Sequence, residues 1–110
     1  MRSARHCQVV TTIDSRDAAE ALARSAVAER VAACAQVVGP ITSTYWWRGQ
    51  IETAQEWQIV FKSTVKRYAA LEEHIRAHHS YDVPEIVCLP ITAGSLAYLA
   101  WLDAAGQDGQ

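Results

Sequence analysis

An α+β sandwich, one antiparallel sheet with two helices on one face and a further helix at the C-terminal end, is the fold class that the 110-residue sequence predicts. Three observations lead there. Strand-like and helix-like patterns follow one another as β-α-β-β-α-β and then a helix. Two long extended segments in the middle are joined by a tight turn. Apolar residues fall on both faces of the strands rather than alternating with polar ones.

The first strand is Cys7 to Ile13, rich in β-branched residues at Val9, Val10 and Ile13. Asp14 and Ser15 stop it, with Asp14 as the expected helix cap and Asp17 favoured in the first turn by the helix dipole. The first helix is expected over Arg16 to Ala33, with Ala19, Leu22, Ala23, Ala26 and Val27 as its apolar stripe. Extended segments follow at Cys34 to Arg48, interrupted by Gly39-Pro40, and at Gln50 to Ser63, with Arg48-Gly49-Gln50 as the turn between them. A second helix runs from Val65 to His79, capped by Ser63 or Thr64, with Tyr68, Leu71, Ile75 and His78 facing inward. After a loop at Ser80 to Val83, Pro84 opens a last strand, Glu85 to Ile91. Gly94-Ser95 caps a terminal helix over Leu96 to Ala105, with Leu96, Leu99 and Leu102 on one side; Gly106 to Gln110 reads as a disordered tail. The whole is a split βαβ, ferredoxin-like βαββαβ sandwich with an additional C-terminal helix, a single domain over 1–110 with its ordered core at about 6–105.

The long hairpin between the second and third strands sets a size problem. Strands of about 14 residues at ~3.3 Å each reach ~45 Å, and a compact domain of this length is roughly 34 Å across. One monomer cannot cover such a hairpin along its whole length. Trp57, Ile59 and Phe61 mark one face of the third strand, yet Val60 lies on the other, and Val9 and Val10 are adjacent. Both faces of the sheet therefore want cover, and contacts between copies of the chain supply it. Tyr45-Trp46-Trp47 cannot all face one core, because side chains alternate along a strand. Together with Trp57 and Tyr81 they are expected to line a subunit interface or cleft.

Half of the residues are hydrophobic, a fifth are charged, and the net charge is −2. No basic field exists for nucleic acid or an anionic membrane, and Arg2, Arg5 and His6 read as a frayed, solvated terminus. No apolar run is long enough to span a bilayer, and no signal-peptide pattern opens the chain, so the cytoplasm is the expected location. Cys7, Cys34 and Cys88, odd in number and without a CxxC pair, are expected to be buried free thiols.

The chemically richest stretch is His78-His79-Ser80-Tyr81-Asp82-Val83-Pro84-Glu85. Histidines at a helix end suit the dipole there, or clamp a loop. With a carboxylate they can also hold Zn²⁺ or Cu²⁺, and His74 lies one helical turn before His78. No nucleophile elbow, HExxH or phosphate loop is present, so catalysis is not expected.

Five segments together resemble the CutA family of divalent-cation tolerance proteins, over about Val9 to Leu102. They are Glu29-Arg30-Val31-Ala32-Ala33-Cys34 ending the first helix, Ser43-Thr44-Tyr45-Trp46-Trp47-Arg48-Gly49 (similar to S-x-Y-x-W-x-G) and Lys62-Ser63-Thr64. The other two are His78 to Glu85 (similar to H-P-Y-x-x-P-E, with Ser80 for the proline) and Tyr98-Leu99-Ala100-Trp101-Leu102. The resemblance implies a homotrimer whose long hairpin wraps onto the neighbour, an architecture like that of the PII-like signalling proteins. It implies a role in divalent-metal tolerance, copper binding in some members, and no reaction. Carried onto this chain, the metal set is His78 and Glu85, and Thr11 stands where copper-binding members have cysteine. The expected cofactor is therefore copper or another divalent cation, weakly held and not obligatory. The alternative function is a PII-like module binding a small molecule in the intersubunit cleft.

Overall fold

The computed structural model describes residues 4–106. The elements are β1 (His6–Ile13), α1 (Arg16–Ala28), β2 (Cys34–Trp47), β3 (Gln50–Thr64), a 3-10 turn (Val65–Arg67) leading into α2 (Tyr68–His78), β4 (Val87–Ile91) and α3 (Leu96–Ala105). The four strands lie in the order β2-β3-β1-β4, every pair antiparallel. This is the ferredoxin-like arrangement with its extra C-terminal helix. The expected disorder of the tail, apart from Gly106, falls outside the described residues, as does Arg2.

Local chemistry moved several boundaries. Ser15 rather than Asp14 caps α1, its Oγ accepting the Ala18 N–H at 3.2 Å. The helix ends at Ala28, five residues short of Ala33, because Arg30 takes a left-handed backbone (φ 61). The Val31 and Ala32 amides then fold back onto the Ala26 carbonyl at 3.1 and 3.3 Å. Neither Ser63 nor Thr64 caps the second helix. Ser63 Oγ donates instead to the Val31 carbonyl at 2.7 Å, and Thr64 Oγ1 accepts from Arg67 at 3.2 Å. The segment accordingly enters as a 3-10 turn before becoming α-helical. β4 starts at Val87, which leaves Glu85 in the preceding loop.

The hairpin closes through a two-residue turn in which Arg48 (φ 51) and Gly49 (φ 79) both lie in the left-handed region, with Trp47 paired to Gln50. Two positive φ values are the type I′ condition, whose twist matches the strands. Between Val38↔Gln58 and Ile41↔Glu56, β2 carries one residue more than β3. That bulge sits at Gly39-Pro40, and only glycine fits: a Cβ at position 39 would lie 2.6 Å from the Trp57 ring. Beyond the bulge, Tyr45 and Trp47 pair with Glu52 and Gln50, on the face turned away from α1 and α2. Trp46 pairs with Ile51 on the helix side.

The core lies between the sheet and α1 and α2. Cys7, Val9, Ile13, Ile59 and Phe61 meet Ala19, Leu22 and Ala26 of α1 and Leu71 and Ile75 of α2. The alanines let α1 lie close to the sheet. Val27 and His78, expected in the inward stripes, are exposed. On the opposite face α3 covers one corner through Leu102. His6 there is buried and its Nε2 lies 2.9 Å from Asp103 Oδ1, so it is the first residue of β1 and not a frayed end. Leu96, placed inward by its spacing, is exposed instead. Of the three free thiols only Cys7 is buried; Cys34 is half-buried and Cys88, on the edge strand, is exposed. The rest of that opposite face leaves Val38, Val87 and Leu89 in water. The principal extents are 45 × 33 × 21 Å, so the hairpin projects beyond the body that the core can cover.

Candidate functional site

Two features stand out: the hairpin arm, and the α2–β4 loop packed at its root. On the arm, Trp46 is 72% exposed, Trp47 55% and Tyr45 42%. The Arg48 guanidinium lies 5.4 Å from the centre of the Trp47 ring, a cation–π contact that steadies the indole without covering it. Trp57, grouped with these aromatics on sequence, is half-buried against the helix-side core and against Gly39. Tyr81 reaches the arm's root from the loop, its hydroxyl donating to Glu56 Oε2 at 2.8 Å. Burial first, and then the bond to Glu56, pushes the Tyr81 phenol well up. Glu56 is itself buried and had no signal in the sequence beyond its place on the strand.

The histidines divide by role. His79 spends both ring nitrogens on structure: Nδ1 accepts the Tyr81 N–H at 3.1 Å, so Nε2 carries the proton and donates to the Thr12 carbonyl at 2.8 Å. It clamps the loop to the end of β1. His78 donates from Nδ1 to the His74 carbonyl at 2.8 Å, and among the described residues its Nε2 has no partner. His74 is bonded through Nε2 to Ser25 Oγ at 2.8 Å; burial, then its His78 neighbour, pushes it down. The His74 and His78 rings stack 4.1 Å apart at 26°. Stacked face to face, the two rings keep their lone pairs in planes 26° apart.

Glu85 is exposed, and among the described residues no hydrogen bond or ion pair joins it to His78. Nor do any three His, Cys, Asp or Glu side chains among those residues gather as a metal cluster within one chain. Thr11 lies on the helix side, wholly buried, paired with Ile59, and among the described residues its hydroxyl has no hydrogen-bond partner. An orphaned buried hydroxyl costs roughly 1–3 kcal/mol. Thr11→Val, which keeps the shape and removes the orphan, should therefore raise stability by about 1 kcal/mol in urea denaturation. A loss of stability would show that the hydroxyl has a partner after all.

The fold, the projecting aromatic arm and the clamped His–Tyr loop define a ferredoxin-like sandwich built around a β-hairpin arm, a class with known members. The family model described as CutA1 divalent ion tolerance protein matches residues 7–105, and the chain belongs to that family. It is 43% identical over 94 residues to the chloroplastic protein CutA 1 of Oryza sativa subsp. japonica, a match covering 86% of this chain and 53% of that protein. It thus spans about half the length of the plant relative. It is 40% identical over 97 residues to the divalent-cation tolerance protein CutA of Escherichia coli O139:H28, covering 88% of this chain and 87% of the relative. The crystal structure of CutA1 from Oryza sativa superposes with a TM-score of 0.92 at 37% identity, over 97% of this chain and 98% of that one.

Proposed function

We propose that this chain is a non-enzymatic, homotrimeric module of divalent-metal tolerance. The carrying observation is the arm: a β-hairpin with three consecutive exposed aromatics, continuous with a sheet face that leaves Val38, Val87 and Leu89 uncovered. A hairpin that each subunit lays on the next is a head-to-tail contact, and closed rotation turns such contacts into a ring. Light scattering at micromolar concentration should give a mass of about three chains; a clean monomer overturns the reading. Three unpaired thiols suit the cytoplasm, where we place the protein. Recovery from another compartment on cell fractionation would contradict that placement.

The metal part of the reading rests on His78 and Glu85. His78 fits a ligand role because its Nδ1 is already tied to a carbonyl, which orients the ring and leaves the Nε2 lone pair for a cation. Glu85 is exposed and unbonded among the described residues. Two protein ligands make a weak site for Cu²⁺ or Zn²⁺, with a dissociation constant no better than roughly micromolar. In calorimetry His78→Ala should abolish binding and leave the trimer intact. Undiminished binding by that variant removes His78 from the site.

A further inference from the structure

Cys7 and Cys88 are 81 positions apart in the sequence, and the sheet makes them neighbours. Val9 pairs with Cys88 and Cys7 with Pro90, so both cysteines project from the same face of adjacent strands as a diagonal pair. Tyr68, at the start of α2, lies within electrostatic reach of both. Cys7 is completely buried, whereas Cys88 on the edge strand is open to solvent. A diagonal pair has Cα atoms ~7–8 Å apart, longer than the ~4.4–6.8 Å a relaxed disulfide spans. An ion between the sulfurs lengthens the bridge, because two metal–sulfur bonds of ~2.3 Å replace one sulfur–sulfur bond of ~2.05 Å.

We propose that Cys7 and Cys88 form a two-thiolate site for a soft monovalent cation of the Cu⁺ type, seated between β1 and β4 beneath the start of α2. Soft thiolates select such ions. Among the described residues no third His, Cys, Asp or Glu completes a cluster, which disfavours tetrahedral Zn²⁺ and suits an ion content with two collinear ligands. Binding exchanges protons for metal: one Cu⁺ and two thiols give a bis-thiolate complex of charge −1 and two released protons, with no change of oxidation state. The site is independent of His78 and Glu85.

The test is an anaerobic titration of the full chain with Cu⁺ in competition with a chromophoric Cu⁺ chelator, repeated with Ag⁺ as a redox-inert probe. One equivalent per chain should bind, with a thiolate-to-metal band in the ultraviolet. Cys88→Ser should weaken binding by at least ~100-fold, while Cys34→Ser binds as the parent does. Because Cys7 is buried and its serine variant can fail to fold, the exposed Cys88→Ser, checked by circular dichroism, carries the test. The proposal falls if the parent binds no Cu⁺, if Cys88→Ser binds undiminished, or if the affinity is lost in Cys34→Ser instead. Failure of the His78 site leaves this result untouched, so the two readings are separable.

Discussion

Replacing Trp46 and Trp47 together with alanine should leave the chain monomeric at micromolar concentration. The two indoles, 72% and 55% exposed in the single chain, lie on opposite faces of the arm. An arm that buries both is gripped from both sides. They leave on the order of 300 Å² of surface in water, worth roughly 7 kcal/mol per subunit as an upper bound if it is fully covered. Removing a term of that size shifts an association constant by several orders of magnitude. The substitution costs the isolated subunit little, because neither ring packs on its core. Sedimentation should show one chain's mass, and the unfolding midpoint, which the proposed trimer makes concentration-dependent, should become independent of concentration. A double variant that keeps the parent's mass would mean that the arm is not the grip.

Much of this was readable from the chain alone, and the misreadings have identifiable causes. The strands and their order followed from β-branched runs and from Gly49, and the bulge was foreshadowed by Gly39-Pro40. The end of α1 was not. Arg30 in a left-handed conformation has no composition signal, since an alanine-rich segment reads as helix until a tertiary contact, here Ser63 Oγ on the Val31 carbonyl, fixes the turn. Ser63 was then unavailable as a cap for the second helix. Trp57 looked like the other hairpin aromatics by type. Its alternation with Ile59 and Phe61 already placed it on their face, and the register and the missing Cβ at Gly39 show that this face packs inward. In the loop, the histidine pair was visible but its division of labour was not. His79 is committed because the Thr12 carbonyl waits at the end of a strand 67 residues earlier. The Cys7–Cys88 proximity is likewise a product of β1–β4 pairing, which no local pattern encodes.

Phe61→Ala should be the most damaging single substitution in the core. Phe61 is fully buried on the central strand β3, flanked in register by Val9 of β1 and Ala35 of β2. It belongs to the cluster that also holds Leu22 of α1 and Leu71 and Ile75 of α2. Truncation removes the transfer energy of the ring and leaves a cavity that three elements would have to shift together to close. The expected loss is about 3–5 kcal/mol, against total stabilities of ~5–15 kcal/mol for domains in general. Phe61→Leu, which keeps most of the volume, should cost about 1.5 kcal/mol or less. Urea denaturation at fixed protein concentration measures both, as a shift of midpoint with the slope unchanged. The signature differs from that of the arm variant: Phe61→Ala lowers the stability of the subunit itself and so keeps the concentration dependence that the double tryptophan variant loses. If instead Phe61→Ala costs no more than Phe61→Leu, the sheet and helices can collapse onto the gap, and the packing between β3 and the two helices is looser than its complete burial implies.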